Sequence, residues 1–463
     1  MIASAAFAGK RYAVLGLARS GAAAVETLLA SGARVTAWDR QDVARAPFEG
    51  RCDLADPLEI DLDGFDGVVV SPGVPLNTHP IAAHAARHGV RVIGDIELFA
   101  QARGDLLEHK VVGVTGTNGK STTVALIQHI LEMAGIPSVL GGNIGEPILA
   151  QESLAPNEHG AGVYVLELSS FQIDLTFNLD CEAAALTNIT PDHLDRYDGF
   201  ADYAASKARL LEMQSPRNLA VFGSIVAPSS GIFKAEQGRR VEGRAMAAEL
   251  DRFAPLQGEW PTLQGPHNLQ NVAVAVAVVE ELGVKEPQWR HALPRFRNLP
   301  HRMEWVCEEA GVTYINDSKA TNTASTAPAL AAYPPLGDRP RVHWIVGGLA
   351  KEDGLGECEA HLGHVAVAYT VGEAGPRFAE LLEGRGPRVE RCELISEAVL
   401  RAQENVREGD VVLFSPACAS FDQFRDYEKR GEHFRQLVGV IADCSADCAP
   451  AGPLQGFRKD KAA

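Results

Sequence analysis

The chain has 463 residues, of which 46% are hydrophobic and 22% charged. This length and composition suit about three globular domains and exclude a small disulfide-stapled scaffold, a fibrous repeat and bulk disorder. Asp and Glu outnumber Lys and Arg by 60 to 43, a net charge of -17, which argues against a nucleic-acid partner. No apolar run suits a signal peptide or a membrane span, so we expect a cytoplasmic protein with no membrane partner.

Short apolar runs that end in Gly, Ser, Asp or Asn alternate with Ala- and Leu-rich stretches along the chain. This alternation predicts α/β domains with mostly parallel sheets. Strands are predicted at 12–16, 34–39, 67–71, 90–94, 111–114, 163–168, 183–187, 342–346, 365–369 and 411–414. A helix is predicted at 121–134, and another at 271–279, where alternating Ala and Val also fit a strand.

Two segments suggest domain boundaries: the charged stretch 101–110 and the Pro- and Arg-rich stretch 294–300. We therefore predict domains at 1–103, 104–299 and 300–463, with a disordered Gly-, Pro- and Ala-rich tail after about 442. Most of the eight cysteines are interpreted as small core residues of a reduced protein. Cys444 and Cys448 form the one close pair, without the further ligands that a zinc site needs.

The strongest chemical signal is the stretch 111–122, Val-Val-Gly-Val-Thr-Gly-Thr-Asn-Gly-Lys-Ser-Thr. An apolar strand runs into a Gly-rich turn and then a helix, an arrangement whose backbone N–H groups bind phosphates. Lys120 would neutralise the phosphates, and Ser121 or Thr122 would hold Mg²⁺. The strict phosphate-loop pattern requires Gly at 114, where this chain has Val, so a plain turn with a surface lysine is the alternative.

This variant loop resembles the nucleotide loop of the Mur ligase family, the ATP-dependent amide-forming enzymes of peptidoglycan precursor synthesis. Further family landmarks follow in order, namely Gly142-Asn143-Ile-Gly145, Glu167-Leu-Ser-Ser170, residues 187–195 (Thr-Asn-Ile-Thr-Pro-Asp-His-Leu-Asp), Lys207, His267-Asn-Leu-Gln-Asn271, His301-Arg302 and Asn316-Asp-Ser-Lys-Ala-Thr321. The resemblance implies three α/β domains: a Rossmann-like N-terminal domain, a central P-loop-type ATPase domain with a mostly parallel sheet, and a Rossmann-like C-terminal domain.

Besides the hydroxyl of Ser121 or Thr122, three side chains are candidate metal ligands: Glu167, His193 and Lys207. Glu167 follows an apolar strand, and the carboxyl end of a parallel strand is where α/β proteins bind ligands. From the residues alone, Glu167 also fits a plain strand end, His193 a solvated loop histidine and Lys207 a solvated helix charge. The resemblance implies that Lys120, Glu167, His193 and Lys207 are catalytic. It also implies two Mg²⁺ ions bound by Ser121, Glu167, His193 and Lys207, with Lys207 carrying a carbamate derived from CO₂.

The resemblance also assigns the nucleotide. It implies that ATP contacts Gly116, Thr117, Asn118, Gly119, Lys120, Ser121, Thr122, Asn271, Arg302 and Asp317. Arg302 and Asp317 belong to the predicted third domain, so the site is expected to require closure of that domain over the central one.

The first domain carries a weak dinucleotide fingerprint, Gly16-Leu-Ala18-Arg-Ser-Gly21, with Asp39 ending the next strand. Ala18 replaces the middle glycine and hinders the close approach of a pyrophosphate, although a nicotinamide-dependent oxidoreductase stays an alternative. The resemblance implies instead that this region binds the UDP part of a substrate, through Ser20, Gly21, Asp39, Arg40, Gly73 and Asn143.

Residues 415–431 are similar to the branch of the family that adds D-glutamate. The resemblance implies D-glutamate contacts at Thr321, Lys351, Ser420, Phe421 and Tyr427, with Lys351 facing the second carboxylate. The implied activity is ADP-forming addition of D-glutamate to UDP-N-acetylmuramoyl-L-alanine through an acyl phosphate, by a monomer. Alternatives are a ligase for L-alanine, diaminopimelate, L-lysine or L-glutamate, a motor or switch NTPase, and an inactive nucleotide-binding regulator.

Overall fold

The structure, a computed structural model, describes residues 1–441; the predicted tail with Cys444 and Cys448 lies outside the described residues. Two compact units divide the described chain. The first unit contains Met1–Leu250 and Gln270–Ala292, and the second contains Asp251–Leu269 and residues 293–441. Among the described residues, no helix has the length and apolar character needed to span a membrane. The predicted domain boundaries at 103/104 and 299/300 stay predictions.

The strands are β1 Arg11–Leu15, β2 Arg34–Trp38, β3 Asp53–Leu54, β4 Gly67–Val70, β5 Val92–Ile93, β6 His109–Thr115, β7 Ser138–Gly142, β8 Gly162–Glu167, β9 Ala183–Leu186, β10 Leu219–Phe222, β11 Ala245–Ala247, β12 Glu304–Glu309, β13 Val312–Asn316, β14 Val342–Gly347, β15 Val365–Val371, β16 Arg388–Arg391 and β17 Val411–Phe414.

The α-helices are α1 Arg19–Ala30, α2 Asp42–Arg45, α3 Ile81–Arg87, α4 Asp95–Ala102, α5 Lys120–Met133, α6 Ser170–Asp174, α7 Phe200–Glu212, α8 Ser229–Arg239, α9 Leu250–Phe253, α10 Pro266–Glu281, α11 Glu286–Ala292, α12 Thr323–Ala331, α13 Gly375–Leu382, α14 Ile395–Asn405 and α15 Tyr427–Ile441. Short 3₁₀ turns lie at Ala5–Phe7, Ala46–Phe48, Arg103–Asp105, Ile148–Ala150, Ala254–Glu259, Leu293–Arg295 and Gly356–His364.

The first unit contains two parallel sheets. Their strand orders are β3-β2-β1-β4-β5 and β11-β10-β9-β6-β8-β7. Every residue of β8 is buried, as expected for a parallel strand covered on both faces. Because β9, β6 and β8 are neighbours, the segments that follow them meet at one edge of the sheet. This edge brings the glycine-rich turn, Glu167 and Thr187 together.

The second unit contains one sheet of order β12-β13-β17-β14-β15-β16. Only the edge strand β12 of this sheet is antiparallel to its neighbour. The neighbouring strands β13, β17 and β14 end at residues 316, 414 and 347. The carboxyl edge of this sheet therefore collects the segments that begin at Asp317, Ser415 and Gly348.

The α/β class with mostly parallel sheets is confirmed, and so are the helices predicted at 121–134 and 271–279. Seven of the described strands were not predicted from the sequence, namely β3, β7, β10, β11, β12, β13 and β16. The residues of β12, Glu-Trp-Val-Cys-Glu-Glu, carry charge at both ends. The stretch 294–300, predicted as a linker, contains buried residues, with Phe296 2% and Leu299 6% exposed. Within the first unit, the Phe99 ring of α4 packs against Tyr164 of β8 at 5.1 Å between ring centres. Residues before and after position 103 therefore share one hydrophobic core.

Candidate functional site

The glycine-rich turn joins β6 to α5. Gly116 has φ +144° and Gly119 has φ +84°. A Cβ atom at Gly116 would lie 1.9 Å from Thr187 Oγ1, and one at Gly119 would lie 2.4 Å from Asn271 Oδ1. Both positions therefore require glycine, because the turn packs directly against these two side chains.

Asn188 holds the same turn by hydrogen bonds. Its backbone oxygen accepts from Thr117 N at 2.9 Å and its Oδ1 accepts from Asn118 N at 2.9 Å. The oxygen of Asn118 accepts from Thr187 Oγ1 at 2.7 Å and from Asn188 Nδ2 at 3.1 Å. The segment after β9 thus fixes the turn, a role that the sequence analysis did not assign to Asn188.

Two lysines share one carbonyl of the turn. Lys120 Nζ donates to Gly116 O at 2.9 Å and to Thr117 O at 2.8 Å, and Lys207 Nζ donates to Gly116 O at 2.8 Å. Lys207 is 2% exposed. Its burial, together with the positive charge of Lys120, lowers its pKa to about 7. Lys207 is therefore a buried amine at the site and not a solvated helix charge.

Glu167 ends β8 and is 1% exposed. Its Oε1 accepts from Asn143 Nδ2 at 2.8 Å, whereas its Oε2 is buried without a hydrogen-bond partner among the described residues. A buried carboxylate oxygen without a partner is costly, and a hard cation satisfies such an oxygen well. The donor set therefore fits Mg²⁺, with the Ser121 hydroxyl buried in the first turn of α5.

His193 lies in an exposed loop with φ +52°. Its ring centre is 5.2 Å from that of Phe171 and 6.5 Å from that of Tyr203. Tyr203 also faces Lys207, whose Nζ is 4.6 Å from the ring centre, and its hydroxyl is 3.1 Å from Thr117 Oγ1. Tyr203 therefore contacts three predicted site residues. The sequence analysis gave it no role, although α7 places it one turn before Lys207.

The first unit also contains a cavity of about 240 Å³, here called the α1 cleft. It is lined by Ala18, Arg19, Ser20, Ser71, Pro72, Gly142, Asn143, Gly145, Pro147 and Gln172. Of the residues predicted to bind the UDP part, Ser20 and Asn143 therefore line the cleft. Gly21 packs behind it, since a Cβ atom there would lie 1.8 Å from Gly16 O.

Asp39, Arg40 and Gly73 are not among the residues that line this cavity. The Asp39 carboxylate accepts from Leu17 N at 2.7 Å and from Gln41 N at 2.9 Å, so it fixes the segment that follows β1. Arg40 and Gly73 are exposed. Two of the six predicted UDP contacts, Ser20 and Asn143, thus line the α1 cleft. The Asp39 carboxylate instead accepts hydrogen bonds from two backbone N–H groups.

Asp95, which the sequence analysis did not single out, lies behind the α1 cleft. It is 3% exposed, and neither carboxylate oxygen has a hydrogen bond of normal geometry among the described residues. Burial raises its pKa to about 6, and the nearby Ser20 hydroxyl and Gln172 amide moderate the rise. No sequence pattern marks this acid, because its isolation depends on elements distant in the chain.

In the second unit, Arg302 and Asp317 lie next to one another in the fold. Asp317 Oδ1 accepts from Met303 N at 3.0 Å, and Oδ2 accepts from Ser415 Oγ at 2.7 Å. Burial raises the pKa of Asp317 to about 7, against the opposing effects of the Ser415 and Met303 hydrogen bonds and of the Arg302 charge. His301 and Met303 have φ +63° and +47°, which non-glycine residues adopt rarely. The backbone around Arg302 is therefore strongly constrained.

The predicted D-glutamate contacts lie on loops of the same unit. Lys351 Nζ donates to Thr321 Oγ1 at 3.4 Å, and Lys351 is exposed. Ser420 is 2% exposed, but the side chain of its neighbour Phe421 is 70% exposed. The structure therefore brings Thr321 and Lys351 together and presents Phe421 to solvent.

Tyr427 begins α15 and contacts the segment that follows β13. The Lys319 ammonium lies 4.0 Å from its ring centre, and the His301 ring centre lies at 6.2 Å. Its backbone oxygen accepts from Ser318 Oγ at 2.8 Å. These contacts join Tyr427 to the segment that carries Asp317, and none of them is with Lys351.

This fold occurs in solved ligases. The crystal structure of MurF ligase from Thermotoga maritima in complex with ADP superposes with a TM-score of 0.54 at 15% identity, covering 94% of this chain and 95% of that chain. Similarity at this identity establishes the shared fold.

Sequence comparison identifies the family. Residues 114–241 match the family described as Mur ligase middle domain, and residues 301–418 match Mur ligase, glutamate ligase domain. A UDP-N-acetylmuramoylalanine--D-glutamate ligase from Novosphingobium aromaticivorans is 59% identical over 461 residues, which cover 98% of this chain and all of the relative. A ligase of the same name from Sphingopyxis alaskensis is 57% identical over 443 residues, covering 95% of this chain and all of the relative. The chain belongs to the Mur ligase family.

Proposed function

We propose that this chain adds D-glutamate to UDP-N-acetylmuramoyl-L-alanine at the expense of ATP, as the names of its relatives indicate for them. The structural observation that supports this most directly concerns Glu167 Oε2, which is buried without a hydrogen-bond partner in residues 1–441 and lies at the same sheet edge as the glycine-rich turn. This edge offers a buried anionic oxygen for a cation next to a turn that can receive phosphates.

We assign residues 1–103 to the UDP substrate, 104–299 to ATP and 300–463 to the amino acid. The proposed ATP contacts are residues 116–122, Asn271, Arg302 and Asp317. The proposed UDP-substrate contacts are Ser20, Gly21, Asp39, Arg40, Gly73 and Asn143. The proposed D-glutamate contacts are Thr321, Lys351, Ser420, Phe421 and Tyr427. The chain would act as a monomer on small molecules.

In the proposed reaction, the substrate's L-alanyl carboxylate takes the γ-phosphoryl group of ATP, and ADP leaves. The amine of D-glutamate then attacks the acyl carbon, loses a proton, and forms the amide as phosphate departs. Lys120 exchanges its two turn carbonyls for phosphate oxygens and neutralises their charge. The turn supplies N–H donors, and the closely packed Gly116 and Gly119 keep those donors in place.

Two Mg²⁺ ions, when bound, would supply further neutralisation of the phosphates and of the transferred group. We propose Ser121, Glu167, His193 and Lys207 as their protein ligands. Lys207 would act as a carbamate, which turns a repelling ammonium into an anionic oxygen donor. Asn143 keeps Glu167 in one orientation through its hydrogen bond to Oε1, which leaves Oε2 available to the cation.

The amino-acid side of the proposal depends on Lys351. Its ammonium is exposed and lies near the Thr321 hydroxyl, so a carboxylate can bind both groups. The aromatic face of Phe421 is also exposed for contact with the ligand. The backbone of the loop that carries Phe421 is fixed by buried groups, as described below.

The test is phosphate release from ATP in the presence of Mg²⁺ and UDP-N-acetylmuramoyl-L-alanine. Separate reactions contain D-glutamate, L-glutamate, L-lysine or no amino acid. We expect release that requires both the UDP substrate and D-glutamate.

Each other outcome contradicts a different part of the proposal. Release with another amino acid alone keeps the ligase reaction and overturns the choice of D-glutamate. Release without any acceptor overturns the ligase assignment in favour of an NTPase.

A further inference from the structure

Arg430 is a buried arginine on the first turn of α15. It is 2% exposed, and no carboxylate lies within ion-pair distance of it in residues 1–441. Burial lowers the pKa of this guanidinium to about 10. A buried charge without an ionic partner is costly, so its hydrogen bonds must compensate.

Those hydrogen bonds reach two separate loops. Nε donates to Ser318 Oγ at 3.1 Å and Nη2 donates to Ser318 O at 2.8 Å. Nη2 also donates to Cys418 O at 2.9 Å, and Nη1 donates to Ala419 O at 3.0 Å. One planar group therefore joins the Asp317 loop, residues 317–320 after β13, to the Ser420 loop, residues 415–421 after β17.

A third segment packs against the same guanidinium. A Cβ atom at Gly348, just after β14, would lie 2.5 Å from Ala419 O and 3.1 Å from Arg430 Nη1. Leu349 and Ala419 exchange backbone hydrogen bonds of 2.9 Å in both directions. Arg430 thus lies where the loops after three neighbouring strands converge. One of these loops contains Leu349, two residues before Lys351.

A lysine cannot replace this contact. Four acceptors spread over two loops match the rigid fork of a guanidinium, whereas an ammonium on a flexible stem is a single point of charge. Among residues 1–441 the guanidinium donates only to carbonyl and hydroxyl oxygens, and the Asp422 carboxylate acts on it from beyond ion-pair distance. The planar arrangement of N–H donors, more than the positive charge of Arg430, therefore holds the two loops together.

We propose that Arg430 is a positioning residue that ties the Asp317 loop to the Ser420 loop, so that the nucleotide and D-glutamate contacts of the second unit form together. This proposal rests on the function proposed above. It predicts that loss of the guanidinium weakens the binding of both ATP and D-glutamate, because Asp317 adjoins Ser318 and Ser420 adjoins Ala419. The UDP substrate, whose proposed contacts are in the first unit, is expected to be unaffected.

The kinetic test compares Arg430→Gln and Arg430→Lys with Lys429→Gln. Lys429 is the matched control, since it is exposed on the same helix turn and its ammonium pairs with Glu432 of that helix. For both Arg430 variants we expect KM for ATP and KM for D-glutamate to rise about tenfold or more. KM for UDP-N-acetylmuramoyl-L-alanine should stay within about twofold, and Lys429→Gln should behave like the parent.

Three results would overturn the proposal. They are a change in KM for ATP or for D-glutamate alone, an equal change in all three KM values, and parental kinetics in Arg430→Lys. If Arg430→Gln does not fold, Arg430→Lys decides the question by the same criteria.

Hydrogen exchange separates this proposal from the proposed function, because it needs no turnover. In the free parent protein, the amide of Ala320 donates to Asp317 O within its own loop, and the amide of Ala419 donates to Leu349 O of the segment after β14. Arg430→Lys should accelerate exchange in both loops, and Lys429→Gln in neither. If the parent shows no D-glutamate-dependent phosphate release, the proposed function fails while this result stands. If exchange accelerates in one loop only, Arg430 does not hold the Asp317 loop and the Ser420 loop together, and the proposal is wrong.

Discussion

The two units prepare their candidate sites in opposite ways. In the first unit two of the proposed catalytic residues are buried, with Glu167 1% and Lys207 2% exposed, whereas His193 lies in an exposed loop. In the second unit, the proposed D-glutamate contacts Lys351 and Phe421 are exposed, although Ser420 is buried. The buried Arg430 fixes the backbone of the loop that carries Phe421. Buried charges interact strongly with phosphates and cations, whereas exposed groups remain free to capture a small zwitterion. Substitutions in the first unit should therefore reduce turnover, and those in the second should weaken substrate binding.

Lys207→Ala should give the largest effect, a loss of about 10³-fold in kcat, because it removes the proposed carbamate oxygen donor next to Gly116. Steady-state phosphate release measures it. Short carboxylic acids such as acetate should restore part of the activity, and sodium chloride at equal ionic strength should not. The control is Lys234→Ala, an exposed lysine of the neighbouring helix α8. Full activity of Lys207→Ala would refute the role.

Lys351→Met tests the exposed side of the comparison. Loss of one charge-assisted contact to the ligand should raise KM for D-glutamate about 10- to 100-fold. The value of kcat should change much less, since the phosphate-binding turn is intact. Initial rates over a D-glutamate titration give both numbers, with Lys429→Met as the matched exposed control. A fall in kcat at unchanged KM would erase the contrast between the units.

Asp95→Asn should give the smallest effect, on stability. Burial raises the pKa of Asp95 from 3.8 to about 6, so the folded state keeps a proton that the unfolded state releases. The stability supplied by this group is complete below about pH 4 and is lost as pH rises through 6. The variant should thus raise Tm by about 3–6 °C at pH 8 and by less at pH 4.5. Thermal scans at both pH values measure this, with exposed Asp198→Asn as control. An equal gain at both pH values would contradict the titration argument.

Local signals predicted the glycine-rich turn and ten of the seventeen described strands, most of them central in their sheets, but not β7 or β13. The apolar run before Gly116 and the helix after Gly119 were readable because a parallel strand covered on both faces has a near-continuous apolar sequence. The same apolar pattern predicted Glu167 at the end of a strand. In the structure Glu167 ends β8, and its Oε2 is buried without a hydrogen-bond partner among the described residues.

The burial of single polar side chains could not be predicted from the sequence. Lys207 and Arg430 lie on helices whose sequences mix charged and apolar residues, and only the packing of distant segments shows that both are inside. Asp39 carries the predicted carboxylate at the predicted place, yet backbone N–H groups of Leu17 and Gln41 occupy its oxygens. Such partners depend on loop conformation, which spacing in the sequence does not encode.

The side-chain amide of Asn143 has a consequence for inhibitor resistance. Asn143 lines the α1 cleft and also donates to Glu167 Oε1 at 2.8 Å. Resistance mutations against a compound that fills this 240 Å³ cleft and hydrogen-bonds to Asn143 would be rare. Any exchange of Asn143 that expelled the drug would also release the Glu167 carboxylate from its orientation, so an escape mutant would lose growth fitness together with drug sensitivity.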